Sequence, residues 1–245
     1  MLHRVLAVAL AAGLLVGLAV AVLQHFVTTP LILAAEVYED AEPAAPVVAS
    51  QSGHGAPEHS HGAAAAPPTG AQEAEWKPAD GLARTAFTGL ATVATAMGFS
   101  LILLAGMLAA GDDIAARTAL GWAAAAFVAT GLAPAVGLAP TLPGSELGPL
   151  LARQAWWVGT ALATGASLWM FVRAKSMVLK LAGVPLLLLP HILGAPISIA
   201  KASKVPAELA ASFASASLMV QAVLWILCGL AVGVIWEWLN TKRTA

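Results

Sequence analysis

The chain has 245 residues, 59% of them hydrophobic and only 10% charged, with a net charge of −1. A soluble domain carries about 25% charged residues, so this composition excludes an ordinary water-soluble fold and places the chain in a bilayer. The balanced charge gives no case for nucleic acid, and a single cysteine, Cys228, excludes a disulfide framework or a Cys-x-x-Cys site within one chain.

Uncharged apolar runs of roughly 20 residues cross a bilayer as helices. Six occur, at Val5–Val27, Ala86–Ala110, Thr118–Ala139, Gln154–Val172, Leu181–Ala200 and Ala211–Trp236. No run alternates with the period of a barrel strand. The expected fold is therefore an all-α polytopic membrane bundle of six transmembrane helices. The count falls to five if the fifth run, broken by Pro185, Pro190 and Pro196, fails to cross, and the C-terminus then changes sides. Residues 1–27 form the first span, 28–82 an external insert expected to be disordered over 42–72, 83–238 a five-helix core and 239–245 a cytoplasmic tail.

Met1–Ala21 has the basic start and apolar centre of a cleavable signal peptide, but its apolar stretch is longer than such segments use. Gly13-x-x-x-Gly17 in the first span and Gly229-x-x-x-Gly233 in the last would allow close helix packing, a pattern that also arises by chance in a chain rich in Gly and Ala. Gln24-His25 stands near the outer end of the first span. It caps or snorkels there, or else His25 faces the bundle and relays a cation. Beyond it, Glu36, Glu39 and Asp40 share one helical face, either as a solvated helix end or as carboxylates that meet a cation at the membrane.

The insert then carries Gly-His54-Gly-Ala-Pro-Glu58-His59-Ser-His61-Gly. Imidazole is the commonest nitrogen ligand of borderline transition metals. The spacing fits no closed tetrahedral motif, so this tract would gather Co²⁺, Ni²⁺, Zn²⁺ or Cu²⁺ rather than select one, unless it is only a linker. Farther on, Glu146 reads as a turn carboxylate unless it pairs with Arg153, and Arg153-Gln154-x-Trp156-Trp157 opens the fourth span as an interface anchor. Spans two to five contain no acid or base except His191, near the middle of the fifth run and held in Pro190-His191-Ile-Leu-Gly194-Ala-Pro196. Ionisable groups at membrane depth are costly and face a cavity or a partner. Broken helices there can expose carbonyls beside such a group, which with His191 would make a cation station; a kinked helix whose histidine bonds a neighbour is the plainer reading.

With six crossings and a cytoplasmic N-terminus, the inner segments hold Arg4, Arg117, Arg173, Lys175, Lys180, Lys242 and Arg243. The outer ones hold Lys77, Arg84, Arg153, Lys201 and Lys204. The bias runs in the direction of the positive-inside rule and puts the histidine insert outside. No phosphate-binding Gly-rich loop is present, so energy for transport comes from a gradient or another subunit.

Several stretches together resemble the CbtA family of bacterial cobalt-transporter subunits. They are Gln24 with Pro30-Leu-Ile-Leu-x-x-Glu36-x-Tyr38-Glu39, Trp76-x-Pro78-x-Asp80-Gly81-x-x-Arg84-Thr85, Gly131-Leu-Ala-Pro134, Leu142-Pro143-Gly144, Arg153-Gln154-x-Trp156-Trp157 and Pro190-His191-x-x-Gly194-Ala-Pro196. The resemblance implies a bacterial inner-membrane protein of five or six helices that imports cobalt, with a small single-span partner, CbtB, bearing its own histidine motif. It implies no ligand set, and this chain departs from the family in the insert Ala41–Gln72.

The sequence thus points to a membrane subunit of a divalent-metal uptake system, for cobalt with nickel as a second candidate, and with no tightly bound cofactor. Candidate metal residues are His191, His25, Glu36, Glu39, His54, His59 and His61. The alternative is a non-transporting metal sensor or assembly factor that buffers metal outside. An enzyme is disfavoured, because no nucleophile or acid–base pair falls at helical spacing.

Overall fold

The computed structural model describes residues 2–39, 78–79, 81–145, 148–196 and 204–244. Among these there are seven helices and no strand. They are α1 (Leu2–Val27), α2 (Thr29–Glu39), α3 (Leu82–Ala109), α4 (Ala116–Gly137), α5 (Leu150–Arg173), α6 (Met177–Leu193) and α7 (Ala207–Thr244). Five of them, α1, α3, α4, α5 and α7, are long and apolar enough to cross a membrane.

In α1 the buried stripe is Val5, Val8, Ala9, Ala12, Gly13, Val16, Gly17 and Val20, while Leu6, Leu10, Leu14 and Leu18 point outward. This small-inside, leucine-outside pattern reverses that of a soluble helix. Lipid tails are as apolar as leucine, so burial gives little advantage between spans and close contact of small residues drives packing instead. The Gly-x-x-x-Gly pairs do this. A Cβ built on Gly13 would lie 2.3 Å from the Met97 Cα of α3, and one on Gly233 would lie 2.3 Å from the Ala116 Cα of α4.

Helices α1, α3, α4 and α7 form the centre, with Val8, Leu104, Met107, Ala119, Trp225 and Val232 in one buried cluster. Trp225 stacks on Phe99, ring centroids 4.5 Å apart. Helix α5 turns a small polar stripe inward, Thr160, Thr164 and Ser167, and two of its hydroxyls donate to carbonyls of their own helix. The α5–α6 hairpin packs outside this centre, against the second half of α4.

The Arg4 guanidinium of α1 lies 3.8 Å over the Trp236 ring of α7 and donates to the Trp236 carbonyl at 2.9 Å. The start of α1 and the end of α7 therefore share one face, here called the near face; α1 ends at the far face. The connection from α3 to α4 turns on the near face through Gly111, whose φ of 70° closes a Schellman motif, with Asp112 N–H on the Met107 carbonyl at 3.0 Å.

Two departures from helical regularity matter below. Pro134 has no N–H for the Thr130 carbonyl, and the ladder of α4 widens into a π turn at Val128–Leu132, where Ala133 N–H reaches the Val128 carbonyl. The fifth run, expected over Leu181–Ala200, ends early: α6 stops at Leu193, because Gly194 takes a φ of 81°. At 17 residues it is about 25 Å long. It nonetheless runs antiparallel to α5, with Gly183 against Phe171 and His191 against Trp156. It returns the chain toward the far face, where α7 begins.

Candidate functional site

Those residues singled out in the sequence that the structure describes, His25, Glu36 and His191, sit toward the far face but do not converge. His191 stands half-buried in the last turn of α6, with its ring edge-on to Trp156 at 6.0 Å. Trp156 Nε1 donates to the Pro190 carbonyl at 3.2 Å, and Gly194 N–H donates to the same oxygen at 3.1 Å. Prolines 185 and 190 cannot donate to the carbonyls of Leu181 and Leu186, so α6 is weakly closed along this stretch. The sequence reading put His191 at mid-span. The early stop moves it to the helix end, level with Trp156, about 9 Å along α5 from its start. A helix C-terminus carries partial negative charge, a favourable field for a cation beside an imidazole.

Gln24 turns inward and its Oε1 accepts a hydrogen bond from Thr92 Oγ1 at 2.7 Å. His25, next to it, is exposed and among the described residues meets Phe26 edge-on, at 5.2 Å. The inward-facing relay position for His25 is thus not formed; a bundle-facing side chain at 24 places its neighbour at 25 outward, 100° around the helix.

Glu36 is engaged. Arg84 Nη1 donates to its Oε2 at 3.0 Å and Nη2 bonds its Oε1, a two-point fork that ties α2 to the first turn of α3. Sequence reasoning missed this partner. Arg84 appeared only as an outer charge, and the signal available was its place in the Asp80-Gly81-x-x-Arg84 stretch that carries part of the resemblance. Glu39 closes α2; its side chain, and Asp40, His54, His59, His61 and Glu146 entirely, lie outside the described residues. Among the described residues no three His, Cys, Asp or Glu side chains gather where a metal ion could be held.

Two further arrangements were not foreseen. On the near face, Asp112 accepts from Trp122 Nε1 at 2.8 Å and pairs with Arg173, whose guanidinium lies 5.0 Å from the Trp169 ring. This joins the α3–α4 turn to the end of α5. On the far side, a cavity of about 610 Å³ opens between α4, α5 and α7 beside the π turn. Trp156 and Trp157 divide the neighbourhood between them, the first covering His191 and the second lining the cavity.

No curated protein and no solved structure matches the chain. Across residues 2–237 it matches the model of the CbtA family, described as a probable cobalt transporter subunit, and the chain belongs to that family.

Proposed function

We propose that this protein is the membrane subunit of a cobalt uptake system in a bacterial inner membrane and that His191 is the ligand its cation meets inside the bilayer. Family membership over nearly the whole chain carries the transport reading. The choice of His191 is supported by its place at the end of a proline-broken helix, against Trp156 and nearly two turns along α5 from that helix's start. The described near-face segments hold Arg4, Arg117, Arg173, Lys175, Lys180 and Lys242, against Arg84, Arg153 and Lys204 on the far side. This asymmetry supports a cytoplasmic near face.

On this reading the far face is external, and the segment between α2 and α3 brings His54, His59 and His61 to it. These histidines, with His25 and Glu39 nearby in the chain, raise the local metal concentration without forming one coordination sphere. The partner that the word "subunit" implies is a small single-span, CbtB-like chain.

The test is Co²⁺ uptake into proteoliposomes, with and without that partner. His191→Ala is expected to abolish flux, whereas deleting Gly53–Gly62 is expected only to raise the Co²⁺ concentration needed for half-maximal flux. Equal loss from both changes would contradict the division of labour. Metal binding without uptake in either arm would instead favour a sensor or assembly factor.

A further inference from the structure

The far-side cavity has a chemistry opposite to that of a cation site. Among the described residues that line it, Arg153 is the one charged side chain and none is a carboxylate. Arg153 sits in the first turn of α5, where a cation opposes the helix macrodipole. Its guanidinium forms no ion pair or side-chain hydrogen bond with another described residue. A guanidinium unpaired among the described residues and the positive end of a 24-residue helix thus face one space, joined by the side-chain amide of Gln154. That combination repels a divalent cation and attracts an anion.

The walls say what kind of anion. Leu150, Trp157 and Val158 line the cavity and are also 66%, 39% and 48% exposed on the outer surface of α5. The cavity wall is therefore continuous with the exposed apolar surface of α5. Farther in, the lining includes Pro134, Leu138 and Leu218. A ligand that fits has a charged head for Arg153 and a hydrocarbon body for the apolar wall. The volume, about 610 Å³, falls within the roughly 300–1,000 Å³ of small-molecule sites.

We infer that this cavity binds a membrane phospholipid, its phosphodiester on Arg153 and Gln154 and an acyl chain along Leu150 and Val158. Guanidinium matches phosphate in a two-point geometry, and Trp157, one turn farther along α5 than Arg153, adds to the apolar wall beyond it. The site is distinct from His191 and does not depend on which cation is transported.

Native mass spectrometry of the full chain, stripped of lipid in detergent and titrated with phosphatidylglycerol, reads the site directly. Wild type is expected to retain one phosphatidylglycerol per chain. Arg153→Gln is expected to weaken retention about tenfold or more, the loss of a charge-assisted hydrogen bond. Arg153→Lys should recover part of it, and Arg117→Gln, which removes an exposed arginine on the other face, should retain lipid as wild type does. Diacylglycerol with the same chains should not be retained. If Arg153→Gln is too unstable to purify, Val158→Trp, which fills the cavity from its lipid side, should displace the lipid instead. Equal retention by Arg153→Gln, or by Val158→Trp where that variant is the one tested, overturns the proposal, as does equal retention of diacylglycerol. Displacement of the lipid by millimolar inorganic phosphate would also overturn it, by making the free anion the ligand.

Discussion

Glu36 and Arg84 are 48 positions apart and meet as a fork, which changes what the carboxylate can do. Their side chains are 29% and 31% exposed, so water screens the pair and Glu36→Gln should cost less than about 1 kcal/mol. Exchanging the two residues, Glu36→Arg with Arg84→Glu, should restore the thermal unfolding midpoint in detergent and leave Co²⁺ uptake intact. Restored stability without uptake would show that the carboxylate itself handles the ion. His191 could be picked out from sequence because it stands alone in an uncharged run, and isolation is a one-dimensional property. The Arg84 fork could not, since pairing across an intervening insert is settled only when α2 and α3 are placed. The inward turn of Gln24 in place of His25 is a matter of helix phase, and an apolar span with no polar face leaves that phase open.

At the scale of the helix, small residues set the spacing of the spans. A valine at Gly233 cannot be accommodated beside the Ala116 backbone, so α4 and α7 must separate, at a cost of about 1–3 kcal/mol. Thermal unfolding in detergent should show Gly233→Val clearly destabilised. Gly159→Ala, where nothing lies within 4 Å of the new Cβ, should stay close to wild type. In sequence Gly233 carries the spacing Gly-x-x-x-Gly and Gly159 does not, but that spacing is informative only once a partner backbone lies against it. The helices themselves were readable from the length of the apolar runs. Their ends were less so: the glycine and prolines that stop α6 were visible, yet which of them ended the helix depended on Gly194 taking a positive φ. The π turn of α4 was not readable, because a proline in a helix can kink, break or widen it. The outcome here coincides with Gln221 packing its amide against Gly131, where an added Cβ would lie 2.7 Å from Oε1.

For the molecule as a whole, the contact between Arg4 and Trp236 sets parity. Helices that begin and end on one face make an even number of passes, so beside the five long helices the short α6 counts as a pass from the near face toward the far one. Reporters fused ahead of α1 and after α7 should read the same side of the membrane in cells, and opposite readings would mean an odd number of crossings. Composition announced the bilayer without specifying this closure, which rests on how α1 packs against α7. The short sixth pass has its own effect on the membrane. Its uncharged part, Leu181 to Leu193, reaches only about 20 Å, while a bilayer's hydrocarbon is about 30 Å thick. Acyl chains beside the α5–α6 hairpin must compress, or water must enter behind them, at fractions of a kcal/mol per ångström of mismatch. Either response thins the insulating layer next to His191 and shortens the distance an ion would travel without solvent.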